Sequence, residues 1–286
     1  MSSLIDSLLR SATAQLVQAG IVSARADAEL LLASAQDSSR GEVLRLAMLG
    51  RTLEDDAASA YLDLVAQRAQ RVPLQHLTGY ADFAGVRLAV GPGVFTPRPE
   101  TEVLVARAYD VALAHDHAVI VDLCTGSGAI AAALKQRVPT ADLHAVELSA
   151  HAHGWAQHNF AQLGLDVDLR LGDGQAAFGD LEGQVDLVTC NPPYIPNGAV
   201  PVDPEVRLHD PSVALYGDSE DGLKLPAAMA ARAATLLRPG GVLLMEHSHT
   251  QGEDLGALLR GSRSWSGVRD FRDWAHRPRV IEAVRV

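Results

Sequence analysis

Apolar residues in the first 80 positions recur at helical spacing. In "LIDSLLRSATAQLV", Leu4 to Val17, they line one helix face, and Gly20 marks its end. Ser23 stands where "ARADAELLLASA" needs a cap, and Thr52 with Asp55 three residues on reads as a capping box opening "LEDDAASAYLDLVAQRAQ". The stretch carries only helical signals and predicts a small helical bundle over 1–80. From Tyr80 to Thr96 the pattern changes: in "YADFAGVRLAVGPGVFT" glycines punctuate short apolar stretches, predicting a hairpin within a linker of residues 81–99.

Residues 100–286 then alternate. The helix "ETEVLVARAYDVALA" precedes the strand "AVIVDLC", and further strands read as "DLHAVEL", "VDLRLGD", "VDLVTCN" and "GGVLLMEH". Helical segments such as "SAHAHGWAQHNFAQLG" and "LKLPAAMAARAATLL" lie between them. Strands alternating with helices predict an α/β fold, a mostly parallel, doubly wound sheet. Residues 267–286 are expected to close it with a hairpin.

Composition changes this picture little. A hydrophobic fraction of 48% over 286 residues suits a globular chain with one large domain and a smaller one. The net charge of −11 and the lack of a basic run argue against a tight hold on nucleic acid. No apolar stretch reaches membrane-spanning length, the N-terminus lacks a secretory pattern, and two cysteines imply no disulfide framework. The expectation is a cytoplasmic protein with neither membrane nor direct nucleic-acid partner.

Candidate chemistry gathers at strand ends. In "VDLCTGSGAIAAALK", Gly126 and Gly128 sit where the first strand of the sheet turns into its helix, so backbone can approach a ligand at the helix N-terminus. With Ala131 they also match the dinucleotide form G-x-G-x-x-A, so either a nucleotide-like ligand or a bare turn fits. Glu147 ends the next strand about 20 residues on, where an acid accepts ribose hydroxyls. Asp173 ends the third, within reach of an adenine amino group or serving as an ordinary turn former.

The fourth strand runs into "NPPY". Pro192 and Pro193 lack backbone N–H groups, so the strand must stop there. In a doubly wound sheet this strand lies beside the first, so Asn191 is expected to face the glycine loop. The Asn191 side-chain carbonyl and the Pro192 carbonyl suit the two hydrogens of a planar NH2 group, and Tyr194 supplies an aromatic wall. Such a group, an amide or an exocyclic amine, would be held in line with an electrophilic methyl, alignment compensating for a weak nucleophile. In "FTPRPETE", Pro99 at the first helical position with Glu100 and Glu102 is ordinary helix initiation.

Together "DLCTGSG", Glu147, "NPPYIP" and "FTPRPETE" resemble the HemK/PrmC family of peptide chain release factor glutamine methyltransferases, and the resemblance covers nearly the whole chain. NPPY alone is shared with DNA adenine methyltransferases; joined to PRPETE it is specific. The resemblance implies a Rossmann-like class I methyltransferase sheet with an N-terminal substrate-recognition bundle. It implies methyl transfer from S-adenosylmethionine, leaving S-adenosylhomocysteine, to the glutamine amide in the GGQ motif of class I release factors. Phe95, Pro97, Cys124, Thr125, Gly126, Ser127, Gly128, Glu147, Asp173, Gly174 and Asn191 would then line the cofactor. Asn191, Pro192, Pro193 and Tyr194 would hold the glutamine.

Three positions depart from the family's pattern: Cys124 stands where glycine is common, Glu147 where aspartate is usual, and Gly174 where relatives can carry a large aromatic. The loss of glycine at Cys124 would count against binding only if that position needs positive φ. Arg98 is a candidate anchor for a carboxylate. No metal site is expected: His151 and His153 point different ways on a helix, and no cysteine lies near His247 and His249. Cys124 and Cys190 end neighbouring strands, so oxidation there would block the site, although inert thiols are the ordinary reading. The rivals are a ribosomal-protein glutamine methyltransferase and a nucleic-acid adenine methyltransferase. The nine acids and seven arginines of the first 80 residues favour a protein partner.

Overall fold

The computed structural model describes residues 3–286. Met1 and Ser2, part of the predicted bundle's range, lie outside them. The chain forms two compact units, one holding the residues up to Tyr80 with Val202–His209, the other Ala81–Pro201 with Asp210–Val286.

The first unit is built from helices Ile5–Gln18, Ala24–Ala35, Arg40–Met48, Asp55–Ala69 and Leu74–Thr78, joined by the short helix Pro204–His209. Ile5, Leu9 and Leu16, spaced one helical turn or two apart, meet Leu31, Leu32, Tyr61 and Val65 in its core. Two details differ from the periodicity reading. Ser23 occupies the cap position, but its hydroxyl donates to the Asp27 carboxylate at 2.7 Å instead of accepting a backbone N–H. Thr52 opens no helix: β2 (Thr52–Leu53) pairs antiparallel with β1 (Ser3–Leu4), and the helix starts at Asp55 behind Glu54. The extended backbone turns Leu53, 2% exposed, into the core, and this burial outweighs a capping box at the surface. The helix Arg40–Met48 hides behind Gly41 in the sequence; Ser39 caps it through the Glu42 N–H at 3.1 Å.

A buried charge cluster closes this unit. Arg68 donates to Asp27 at 2.7 Å and to Glu205 at 2.7 Å, and Arg71 reaches the other Glu205 oxygen. Burial works to raise the Glu205 pKa, but hydrogen bonds involving Asp203, Arg68 and Arg71 together hold it well below the usual carboxylate range.

β3 (Tyr80–Phe83), which begins on the last residue of the first unit's N-terminal stretch, and β4 (Val86–Ala89) form the expected hairpin. Ala84 and Gly85 at its turn both have positive φ, 46° and 90°, as a type I′ turn requires. Glu102 accepts the Ala84 N–H at 3.0 Å, and Glu100 accepts from Arg277 at 3.0 Å, so both acids of "PETE" also bind outside their helix.

The main sheet has seven strands: β5 (Val119–Leu123), β6 (Asp142–Glu147), β7 (Asp168–Leu171), β8 (Val185–Cys190), β9 (Leu237–Glu246), β10 (Trp265–Arg272) and β11 (Pro278–Arg285). Their order is β10-β11-β9-β8-β5-β6-β7, parallel from β9 to β7, with β11 antiparallel to both of its neighbours. One face packs under helices Glu102–Ala112, Ala129–Arg137 and Ala150–Leu163; the other is covered by Lys224–Leu236 and Gly252–Gly261. Strand order reverses between β5 and β8, which puts the ligand crevice of a doubly wound sheet at their C-terminal ends. No helix among the described residues is long and apolar enough to cross a membrane.

Breaking a buried ion pair leaves an uncompensated charge. Glu205→Ala is therefore expected to destabilise the protein by about 3 kcal/mol, measured by urea unfolding at pH 7.

Candidate active site

The crevice is framed by residues that pair in register. Leu123 is the partner of Cys190 and Asp122 of Thr189, so the glycine loop after β5 and the NPPY turn after β8 leave neighbouring strands at the same level. Beneath them Asp122 is fully buried: its carboxylate accepts the Thr125 hydroxyl at 2.6 Å and the Thr189 hydroxyl at 2.7 Å, tying the loop to the neighbouring strand β8. Burial pushes the Asp122 pKa up from 3.8 to about 6, against the two hydroxyl donors.

The loop is shaped by left-handed backbone. Gly126 and Gly128 have φ of 59° and 82°. A Cβ on Gly128 would lie 2.7 Å from the Phe160 ring, while nothing stands within 4 Å of one on Gly126, so the loop is open there. Thr125 and Ser127 are buried. Asn159, also buried, donates to the Ser127 carbonyl at 2.9 Å and spans both backbone groups of Ala89, stitching the loop to the end of the hairpin. Cys124 meets the condition set for it: its φ is 60°, a conformation that costs a side-chain-bearing residue about 1 kcal/mol.

Glu147 ends β6 with each carboxylate oxygen fixed by one N–H, from Gly126 at 2.8 Å and from Ser149 at 2.8 Å. Each oxygen keeps a lone pair, which fits a ribose diol. Asp173, exposed past the end of β7, accepts the Gln175 N–H at 2.9 Å, as a turn former does. Gly174 beside it is buried, and the Met229 sulfur lies 3.1 Å from where its Cβ would be. Methionine thus fills the space into which a side chain at 174 would project. The stretch before "PRPETE" lies along the helix that follows Glu147, with Gly91 against Trp155 and Gly93 against His151. Phe95 and Pro97 are half-buried; the Arg98 guanidinium stacks 5.1 Å from the Phe95 ring centre and pairs with Asp210 at 2.6 Å.

Asn191 and Pro193 are half-buried and Pro192 buried at the mouth of β8. Tyr194 is held at three points: its N–H donates to the Leu215 carbonyl at 3.1 Å, its carbonyl accepts from the Gln251 amide at 2.9 Å, and its hydroxyl donates to Glu246 at 3.2 Å. Burial, with the Glu246 charge beside it, raises the phenol pKa and keeps it protonated. Cys190 is buried, and burial with the neighbouring Cys124 thiol pushes its pKa well above the usual range, which makes it a poor nucleophile. Among the described residues no group of three or more His, Cys, Asp or Glu is arranged to hold a metal ion.

Asp122, Asn159, Thr189, Glu246 and Gln251 were not singled out by motif. Two of them had a signal: Asp122 and Thr189 are polar residues inside the apolar runs "VIVDLC" and "VDLVTC". A buried polar residue needs partners, and strands destined to pair supply them.

Two expectations test these features. Cys124→Gly should exceed Cys124→Ala in stability by about 1 kcal/mol in denaturant titration, because only glycine occupies positive φ without strain. For Asp122, the raised folded pKa means that folding favours the protonated form. That contribution is fully present below about pH 4 and is lost as pH rises through about 6. Asp122→Asn lacks this titration, so between pH 4 and pH 7 the stability difference should move by about 3 kcal/mol in favour of the variant, read by urea unfolding at both pH values.

Comparison with known proteins places this geometry in a family. Residues 7–79 match the PrmC N-terminal domain and residues 89–205 the methyltransferase small domain. The release factor glutamine methyltransferase of Streptomyces coelicolor is 48% identical over 276 residues, 95% of each chain. A 4-amino-L-phenylalanine/4-methylamino-L-phenylalanine methyltransferase of Streptomyces pristinaespiralis is 40% identical over 265 residues, 90% of this chain and 88% of its own. A solved methyltransferase from Pyrococcus furiosus, 16% identical, aligns over 70% of this chain and 89% of its own with a TM-score of 0.51, a likeness of fold. With a full-length relative this similar, and an N-terminal region matching the family's own domain, the chain belongs to the release factor glutamine methyltransferase family.

Proposed function

We propose that this protein methylates the side-chain amide nitrogen of the glutamine in the GGQ motif of class I peptide chain release factors. S-adenosylmethionine is the donor and the cytoplasm the place of action. The observation that carries the reading is the register of β5 on β8, which brings the glycine loop and NPPY to one rim. The near-full-length relatedness to a release factor glutamine methyltransferase supports a release factor glutamine as the acceptor.

The residues present fit the donor. The open backbone at Gly126 and the loop Thr125–Gly128 accommodate its methionine portion, the free lone pairs of Glu147 its ribose, and Asp173 its adenine amino group. Met229 packs beside Gly174, in the space that a larger residue at 174 would need. When bound, the donor supplies an electrophilic methyl on a sulfonium and leaves as S-adenosylhomocysteine.

The chain's own part is alignment. An amide nitrogen is a weak nucleophile because its lone pair is delocalised, so acceptors for its two hydrogens orient that lone pair toward the methyl. The Asn191 side-chain carbonyl and the Pro192 backbone carbonyl supply them, with Pro193 fixing the turn and Tyr194 covering the planar group. No base is required before transfer, since the proton leaves once the new N–C bond has made the nitrogen acidic. The relative named for an aromatic amine fits the same logic, because an aniline also presents a planar NH2 group.

Incubation of a purified class I release factor with the protein and S-adenosylmethionine should add one methyl mass to its GGQ peptide, and none to a GGA control. Asn191→Ala should cut this turnover at least about 100-fold while changing donor affinity, read by calorimetry, far less. Donor binding without any gain on the release factor would redirect the assay to ribosomal proteins, nucleic-acid adenine and aromatic amines.

A further inference from the structure

Glu246 is the last residue of β9, 2% exposed, and it belongs to none of the motifs that define the site. Its carboxylate accepts the Tyr194 hydroxyl, with the Arg279 charge favouring its ionised form and the Glu100 charge opposing it. Burial raises its pKa above the usual range. A well-packed apolar residue of similar volume is generally as good for stability in such a place, so folding alone does not account for a carboxyl there.

The other hydrogen bonds of Tyr194 among the described residues are made by its backbone, to Leu215 and to Gln251, and they set where its Cα lies. Gly222 reinforces this placement: a Cβ there would lie 2.1 Å from the Tyr194 carbonyl oxygen. None of these fixes the ring, which turns about two side-chain torsions. The phenol bond to Glu246 is the side-chain hydrogen bond that does, among the described residues. A phenol has one proton to donate, and Glu246 takes it, so the ring meets an acceptor group through its face and edge alone.

We propose that Glu246 is a positioning residue for methyl transfer, acting through the Tyr194 hydroxyl to fix the ring that walls the acceptor site. The inference rests on the function proposed above and adds a residue to it. Because Glu246 works only through Tyr194, removing either end of the bond has one shared consequence, and a replacement that keeps an acceptor oxygen preserves it.

The test uses the full-length protein with a purified class I release factor. Tyr194→Phe and Glu246→Leu should each lower kcat roughly tenfold, with the Kd for S-adenosylmethionine changed less than about twofold. The double variant should fall no further than either single one, while Glu246→Gln should keep about half of the wild-type turnover or more. Wild-type turnover in Tyr194→Phe, additive losses in the double variant, or a Glu246→Gln as slow as Glu246→Leu would each overturn the proposal. Should Glu246→Leu not fold, the Phe and Gln variants decide it by the same criteria.

Ring order is read without any substrate. In protein labelled with 3-fluorotyrosine, the fluorine signal of Tyr194, assigned by its loss in Tyr194→Phe, should stay dispersed in Glu246→Gln and move toward the averaged position in Glu246→Leu. An unchanged signal in Glu246→Leu would overturn the proposal. A wild-type protein that binds the donor but leaves the release factor unmethylated would instead overturn the function reading, with the fluorine signal still deciding the role of Glu246.

Discussion

The parallel pairing of β5 with β8 governs the site. Both strands end at the proposed site, one in the glycine loop and the other in NPPY. Because the strand order reverses between them, no crossover helix covers their C-terminal ends, and the crevice stays open. The buried Asp122, bound to Thr125 on one side and Thr189 on the other, makes this pairing a side-chain bond as well as a backbone ladder. Its cost in desolvation is set against two short hydroxyl bonds, a balance that holds only while both strands keep register.

Around that pair, each moving part is clamped by a polar residue from elsewhere in the same unit. Asn159 ties the glycine loop to the hairpin, Glu147 receives the Gly126 N–H, Arg98 reaches Asp210, and Glu246 with Gln251 secures Tyr194. In the proposed reaction these groups must be placed to within a fraction of an ångström for an amide, a weak nucleophile, to meet a methyl in line. Loops supply the reacting surface, and buried hydrogen bonds supply the rigidity that loops lack.

Much of this architecture is written locally. The helices of the first unit follow from apolar spacing, the hairpin from Ala84–Gly85 between short apolar stretches, and the strand ends from Cys124, Glu147, Asp173 and the prolines after Asn191. The readings that fail do so where distant burial outweighs a local preference. Leu53 is drawn inward against β1, so Thr52 becomes strand rather than cap, and Ser23 spends its hydroxyl on Asp27.

By itself the sequence determined what is encoded within a few residues: element type, the doubly wound class, the loop and turn that meet at a switch point, and the family to which those motifs belong. Only the tertiary structure decided which distant groups complete them. Asp122 needed Thr189, 67 residues away, Tyr194 needed Glu246, 52 residues away, and Gly174 needed Met229. It also decided that Cys124 sits at positive φ. The reason is physical: local propensity and spacing act along the chain, whereas a buried hydrogen bond or a packed contact exists only between surfaces that folding has brought together.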